Sequence, residues 1–559
     1  MYRPKREQRN LFSATTLLPD EKRKQLEGTW AGVFREKALP LIKEDLFRHL
    51  FHAENGRPNK PVQTVIGLLI LKEIFELTDE EALFNLAYHL AYHVALGLDL
   101  DEAYCCQKTL HNFRVKLIQS GTDVLVFQSL TDQILKALGV DTGKQRLDST
   151  HIVSNIARLT RLGLFCETIR VFLSALKKEF PKKFRVIRAT QDPLRKRYLK
   201  DDGTATRFGD AAAKDTRRRL SVCARDVWRL VDLFRGDRAV GKMEAYQLLQ
   251  RLLNDQCEIV KAPKAGDDDD ADVSEPGVPV EVKEPEKVSS DSLQTPHDPD
   301  MTYSGHKGKG YEVQIAETYG NENLPEIITH VELTRSCDSD EKAAIPTIEA
   351  LASRQIQPKE MVADTTYSST ANVIAAAGKG TELLGPVSGK EANTTPEDEV
   401  GKGDFFVDPK GEKASDCLAG QLAVKTERDE VSGRIRAYFD GTVCNKCKFR
   451  TFCAARRLVD GTRVLSTTVR NATLEQRRAY EQTDEFKERY AARAGIEATN
   501  SELKRRHGLG RIRTRHRPRI RLAVYLKAVA CNVKRMVAYV AEMALKTERS
   551  AELASLGAN

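Results

Sequence analysis

Between Gly310 and Val387 the sequence switches repeatedly between a two-residue period and one near 3.6. Gly310 to Thr318 (GYEVQIAET) alternates as a half-buried strand does, Gly320-Asn321 supplies a turn, and Glu326 to Leu333 (EIITHVEL) returns. Asp338 and Glu341 open a helix that runs to about Ser353. The short strand Glu360 to Ala363 leads into Asp364, followed by a helix over Ser368–Ala377 and a last strand over Thr381–Val387. Upstream, residues 144–153 (KQRLDSTHIV) read as another strand, with Asp148 in its middle. Three strands, then helix, strand, helix and strand predict a mixed α/β sheet. Both aspartates then lie in its strands or at a strand end.

A chain of 559 residues holds several folded units. Residues 1–135 read as helical. Val65, Leu68, Leu69, Leu71, Ile74 and Phe75 give one apolar face, Thr78 with Glu81 forms a capping box for a second helix, and Lys108 to Ile118 forms a third. Lys108, Arg114 and Lys116 suit a helix-turn-helix DNA reader, and a plain helical packing domain fits the same pattern. The first sheet strand occupies 140–156, and 157–260 reads as a helical insertion. Residues 261–300 carry twelve acids against four lysines and little apolar content, the composition of a solvated, disordered acidic linker. The rest of the sheet falls in 301–390, a cysteine-bearing insertion in 391–472, long helices in 473–546 and a tail in 547–559. In the last helix Leu522, Leu526, Val529, Val533, Met536, Val540 and Met543 recur at four- and three-residue steps, one face for the core.

Composition excludes whole classes. The longest apolar run, Thr64 to Phe75, is interrupted by Lys72 and Glu73 and is too short to span a bilayer. The first thirty residues lack the apolar stretch of a secretory leader. A cytoplasmic protein is expected, in a reducing compartment where clustered cysteines suggest metal before disulfide. The net charge of +9, reached despite the acidic stretch, suits a polyanionic partner, of which nucleic acid is the commonest, and an ordinary solvated basic surface fits the same charge.

Tyr490, Arg493, Glu497 and Lys504 fall within about 60° of one another on a helix that turns 100° per residue. Alone, that stripe is an ion-pair ladder worth roughly a few tenths of a kcal/mol per pair. It runs, however, into Lys504, Arg505, Arg506, Arg511, Arg513, Arg515, Arg517, Arg519 and Arg521, nine cations in eighteen residues with no acid among them. Such a run repels itself unless phosphates neutralise it. A carboxylate beside a phosphate-binding surface, together with two strand-borne aspartates, supplies the donors for two Mg2+ about 4 Å apart, the arrangement that supports in-line attack at phosphorus.

The spacing Tyr490-x2-Arg493-x3-Glu497-x6-Lys504 resembles the Y-R-E-K signature of bacterial insertion-sequence DDE transposases. Leu147-Asp148-Ser149-Thr150-His151 and Val362-Ala363-Asp364-Thr365-Thr366-Tyr367 resemble the blocks around that family's two aspartates. The closer likeness is to the insertion-sequence-1182 type. It extends to Gly56-Arg57-Pro58, to the stretch KTLHNFR from Lys108 to Arg114, and to Gly495-Ile496-Glu497 with Asn500-Ser501. The resemblance implies a multidomain α/β chain with a ribonuclease-H-like catalytic core, in which Asp148, Asp364 and Glu497 bind Mg2+, with Mn2+ able to substitute. It also implies double-stranded DNA as partner, both element ends and target, and a homodimer on the paired ends. Tyr490, Arg493, Lys504, Arg505, Arg506, Arg511, Arg513 and Arg515 are the expected DNA contacts, joined by Lys307 and Lys309 of a basic glycine-containing loop. The acidic stretch at 262–300 departs from the family pattern.

Cys444-x2-Cys447-x5-Cys453, with Cys417 upstream, has the spacing of a structural Zn2+ knuckle, since two-residue separation lets two thiolates reach one tetrahedral ion. Free cysteines in a small insert are the plainer alternative. The expected function is a transposase that binds the terminal inverted repeats of its element, hydrolyses the phosphodiester at the ends and joins the 3′-hydroxyl to target DNA. A domesticated DNA-binding protein without catalysis and a stand-alone nuclease on the same core are the alternatives.

Overall fold

The computed structural model describes residues 1–5, 18–156, 159–210, 213–260, 278–389, 400–408 and 415–556. Its central sheet contains β1 (Lys144–Ile152), β2 (Gly308–Thr318), β3 (Ile328–Arg335), β4 (Glu360–Ala363) and β5 (Glu382–Leu384). They lie side by side in the order β3-β2-β1-β4-β5. The β3–β2 and β2–β1 pairs are antiparallel, whereas β1, β4 and β5 are parallel. The mixed sheet expected from the changing period is therefore present. One detail differs: β2 is buried on both faces from Gly310 onward, not half-buried. Its polar residues Glu312 and Gln314 alternate as read, and a register shift follows at Ala316/Glu317. The side chains of Glu312, Gln314 and Glu317 all face other polar groups inside the protein instead of water.

The N-terminal helices include α1 (Val62–Ile74), α2 (Asp79–Tyr88), α3 (Gln107–Gln119) and α4 (Asp123–Leu138). The capping box forms as read: Thr78 Oγ1 accepts from the Glu81 amide at 3.2 Å, and the Glu81 carboxylate accepts from the Thr78 amide at 2.7 Å. Near the other end of the chain lie α5 (Gly495–Arg506) and the long α6 (Arg517–Leu556). The stretch expected as a tail from 547 is thus helical through Leu556, a continuation of α6. Leu522, Leu526, Val529, Val533 and Met536 are buried, as their spacing requires, Val540 is only partly buried, and Met543, read as part of the same face, is exposed. The five buried residues share one core with Leu68 of α1, Leu110 of α3, Phe127 of α4, Val313 of β2 and Ile328 of β3. Helices read as an N-terminal domain and the sheet are consequently two sides of one hydrophobic interior.

Residues 161–256 carry a core of their own, with Phe165, Phe172, Leu173, Val227 and Leu249 fully buried. The acidic stretch needs a correction. Residues 261–277 lie outside the described residues, but 278–300 are packed, not disordered. Val280–Val282 pairs with Cys257–Ile259, Leu293 is buried in the insertion's core, and Asp298 is wholly buried, accepting from the Tyr311 hydroxyl at 2.7 Å. The few apolar residues there, and one carboxylate with a fixed donor, outweigh the average composition. Among the described residues no helix is long and apolar enough to cross a membrane.

A buried ion cluster ties α1 to α6. Glu73 accepts from Lys527 at 2.6 Å and from Lys72 at 2.9 Å. Burial alone would raise the Glu73 carboxyl, but the two ammonium groups outweigh it and hold it below the usual carboxylate range. The pair therefore contributes stability above the ordinary carboxylate pKa, and that contribution is lost as pH falls through the lowered folded value. Lys527→Met should destabilise the protein by about 3 kcal/mol at neutral pH by leaving Glu73 under-compensated. The deficit should shrink as pH drops into the carboxylate range, which urea denaturation over a pH series measures.

Candidate active site

Parallel pairing in register between β1 and β4 opposes Leu147 to Ala363, so the next residues, Asp148 and Asp364, leave neighbouring strands side by side. Asp148 is buried and Asp364 half-buried. The Asp364 Oδ1 accepts from the amides of Thr366 at 2.8 Å and Tyr367 at 3.3 Å, a local turn that fixes its carboxylate at the strand end.

The third acid arrives by a different route from the single continuous helix read in the sequence. That stretch is broken into Val469–Glu481, Asp484–Ala491, a 3-10 turn at Ala492–Ala494, and α5. Thr483 caps the second piece, and in the 3-10 turn the Ala492 carbonyl accepts from Arg146 Nη1 at 2.8 Å as well as from the Gly495 amide. Tyr490, Arg493 and Glu497 therefore sit on three consecutive elements, yet they still converge. The Arg493 guanidinium bridges Asp148 at 3.3 Å and Glu497 at 3.0 Å. Asn500, one turn further along α5, donates to Asp148 Oδ2 at 3.1 Å. Tyr490 is half-buried, stacked on Phe486 with ring centroids 5.5 Å apart, and Lys504, Arg505 and Arg506 are exposed.

Arg146, a residue that local sequence pattern does not single out, sets this geometry. Its guanidinium is almost completely buried, donates from Nε to Glu317 at 2.8 Å, and also pairs with Glu326. Glu317 in turn accepts from Thr499 of α5 at 2.6 Å and pairs with Arg535 of α6 at 3.3 Å. Gly495 is required where α5 passes over Arg146, because a Cβ there would lie 2.0 Å from Arg146 Nη1.

Burial pushes the Asp148 carboxyl up; Arg493 and the Ser149 amide oppose this, while Asp364 and Asp340 reinforce it, and the net direction is upward. Asp340, likewise inconspicuous in the sequence, lies behind β1, accepting from Ser149 at 3.0 Å and Gln314 at 2.8 Å. The donors around Asp148 are hard oxygens, the type that suits Mg2+. Asn500 Oδ1, buried beside them, has no hydrogen-bond partner among the described residues. Both features fit a divalent cation. The three carboxylates are nevertheless spread more widely than one compact ligand cluster. Among the described residues the set of three potential ligands drawn within 4.8 Å is Glu502, His507 and Cys531 instead.

The arginine run is pinned to the end of β1. The Val153 amide donates to Gly510 O at 3.1 Å and the Ile512 amide donates to Val153 O at 2.8 Å, which leaves Arg511, Arg513 and Arg515 exposed beside the strand that carries Asp148. Arg513 and Arg515 donate to backbone carbonyls of Glu76 and Asn155 at 3.1 and 2.7 Å. Arg521 behaves differently, held by the buried Asp123 at 2.8 and 3.0 Å. The amines of the loop lysines are also engaged, although Lys307 itself is exposed. Lys307 pairs with Glu312 at 3.1 Å and Asp340 at 3.6 Å, and Lys309 donates to Leu159 O at 2.8 Å.

Cys417, Cys444, Cys447 and Cys453 all line one cavity of about 280 Å3, together with Phe405 and Phe439. Burial raises the Cys444 thiol, and each of the other three thiols adds to the shift.

Two comparisons with known families bear on these parts. Residues 32–116 match the family described as Transposase domain (DUF772), and residues 417–537 match the Transposase DDE domain. The first spans α1 to α3; the second contains the four cysteines, Glu497 and the arginine run, and ends within α6. Asp148 and Asp364 lie outside both. No curated protein and no solved structure matches the chain. Each match covers a minority of the chain, and both families are described as transposase domains.

Gly495→Ala should force Arg146 or α5 to move, with a cost of about 1–3 kcal/mol from overpacking. Thermal unfolding of the variant against the parent measures this, and an unchanged melting temperature would mean that Arg146 yields without penalty.

Proposed function

We propose that this chain is a DDE transposase that binds the ends of its own insertion sequence, cleaves them and joins the 3′-hydroxyl to target DNA. The observation that carries the reading is the convergence of Asp148 and Asp364 on neighbouring parallel strands, with Arg493 linking Asp148 to Glu497. The strand order β3-β2-β1-β4-β5, three antiparallel strands followed by two parallel ones, supports a ribonuclease-H-like core. Asp148, Asp364 and Glu497 would hold two Mg2+, whose Lewis acidity serves the attacking hydroxyl and the leaving oxygen. Arg493 keeps the two acids it bridges from repelling each other, and Asn500 fixes the orientation of Asp148. Lys504, Arg505, Arg506, Arg511, Arg513 and Arg515 bind backbone phosphates beside the site, and Tyr490 with Arg493 borders them. Lys307 and Lys309 contribute less, since their amines are engaged within the protein. The four cysteines around one cavity support a structural Zn2+, and paired ends call for a homodimer.

Asp148→Asn, Asp364→Asn and Glu497→Gln should each abolish Mg2+-dependent cleavage of DNA bearing the element's ends, with affinity for that DNA nearly unchanged. Cleavage at the parental rate by any of the three removes that residue from the site. Replacing Arg511, Arg513 and Arg515 together with Gln should flatten the slope of log K against log salt by up to roughly 2.7, about 0.9 for each duplex phosphate left without its arginine. Purified protein should carry one zinc per chain by elemental analysis and lose it in a Cys444→Ser, Cys447→Ser variant; metal-free protein with intact thiols would contradict the zinc assignment.

A further inference from the structure

Where the two family-matched segments meet, a cavity of about 320 Å3 opens between α1, α3 and the first turns of α6. That volume lies at the lower end of the range for small-ligand pockets. Its interior is apolar, with Val115 and Ile118 of α3 on one side and Ala523 and Leu526 of α6 on the other. The carboxylates at its edge are already neutralised. Asp79 accepts two bonds of 2.7 Å from Arg114, and Glu73 is held by Lys72 and Lys527.

The remaining rim is cationic. Arg519 is exposed and makes no ion pair among the described residues, and Arg513 comes no nearer than 4.0 Å to the Glu76 carboxylate. Exposed His111 lies on the same rim. From there the charge continues into Arg511 and Arg515, the run that ends at β1. An apolar interior with a cationic edge is complementary to an aromatic base carrying a phosphate, and the adjoining arginines lead a nucleic-acid backbone to it.

We propose that this cavity holds one unpaired nucleotide of a DNA strand, its base between Ile118 and Leu526 and its phosphate at Arg513 and Arg519. The inference rests on the reading of the chain as a DNA-binding transposase and names a contact within it. A base-paired nucleotide is excluded because its faces are stacked and its edge is occupied, so only a single-stranded extension or an opened end can supply the occupant. Neither half of the pocket suffices alone. The N-terminal helices provide one apolar wall and α6 provides the other, together with the phosphate-binding edge.

The test compares the full chain's affinity, by fluorescence anisotropy, for two duplexes with the same short single-stranded extension, one with its bases and one abasic. Both extensions carry the same phosphates, so a difference reports the base alone. The intact extension should bind roughly tenfold tighter, the order expected for one base on an apolar or aromatic surface. Ala523→Phe and, separately, Val115→Phe fill the cavity from opposite walls. Each should bring the ratio of the two affinities toward one, with thermal unfolding confirming that the variant is folded. Equal affinity of the parent chain for the two DNAs, or a ratio preserved in both filled variants, overturns the inference while leaving the transposase reading intact. A parent chain that binds neither DNA defeats that reading and the pocket with it.

Discussion

Glu317 has no solvent-exposed surface, and a carboxylate in that position costs several kcal/mol of desolvation unless it is fully partnered. Its partners come from three separate parts of the chain: Arg146 on β1, Thr499 on α5 and Arg535 on α6. Satisfying it fixes sheet, α5 and terminal helix against one another in a single arrangement. The same Arg146 donates to the carbonyl of Ala492 at the 3-10 turn, and a Cβ at Gly495 would press on the guanidinium. The orientation of Arg493 and Glu497 toward Asp148 is the downstream result.

Much of this is legible from local pattern. The strands of the sheet, the capping box at Thr78 and the buried face of α6 are all properties of residues a few positions apart, and the structure has them close to the expected boundaries. The convergence of the acids is legible through the strands that carry Asp148 and Asp364 and through the spacing from Tyr490 to Lys504. The break in that last stretch is not, and the side chain that meets it there lies more than three hundred residues upstream in sequence. Arg146 and Glu317 are 171 positions apart, and neither has a neighbour that announces the pair.

Average composition misleads in two places. Residues 278–300 are acidic and poor in apolar groups, but a short strand pair, one buried leucine and the Asp298–Tyr311 bond are enough to pack them. Lys307 and Lys309 belong to a loop whose sequence looks like a free basic surface, but Glu312 and the Leu159 carbonyl engage both amines, with Lys307 itself still exposed. In each case a few specific partners outweigh the mean property of the segment. The cysteines are the opposite case. Cys444 and Cys447 announce their proximity by spacing alone, while Cys417 reaches the same cavity through pairing of Asp416–Cys417 with Phe405–Phe406, and Cys453 through its bridge to Val400.

The N-terminal helices, one face of the sheet and α6 share a single hydrophobic interior, with a buried ion pair across it. Among the described residues, no hinge separates the part that carries the first transposase-domain match from the strands that carry the acids. The molecule therefore behaves as a ruler. The span between the surface of the N-terminal helices and the acids at the sheet is set by packed side chains, and changing it requires rebuilding a core. An insertion with a separate core, such as residues 161–256, can vary in size without altering that measurement.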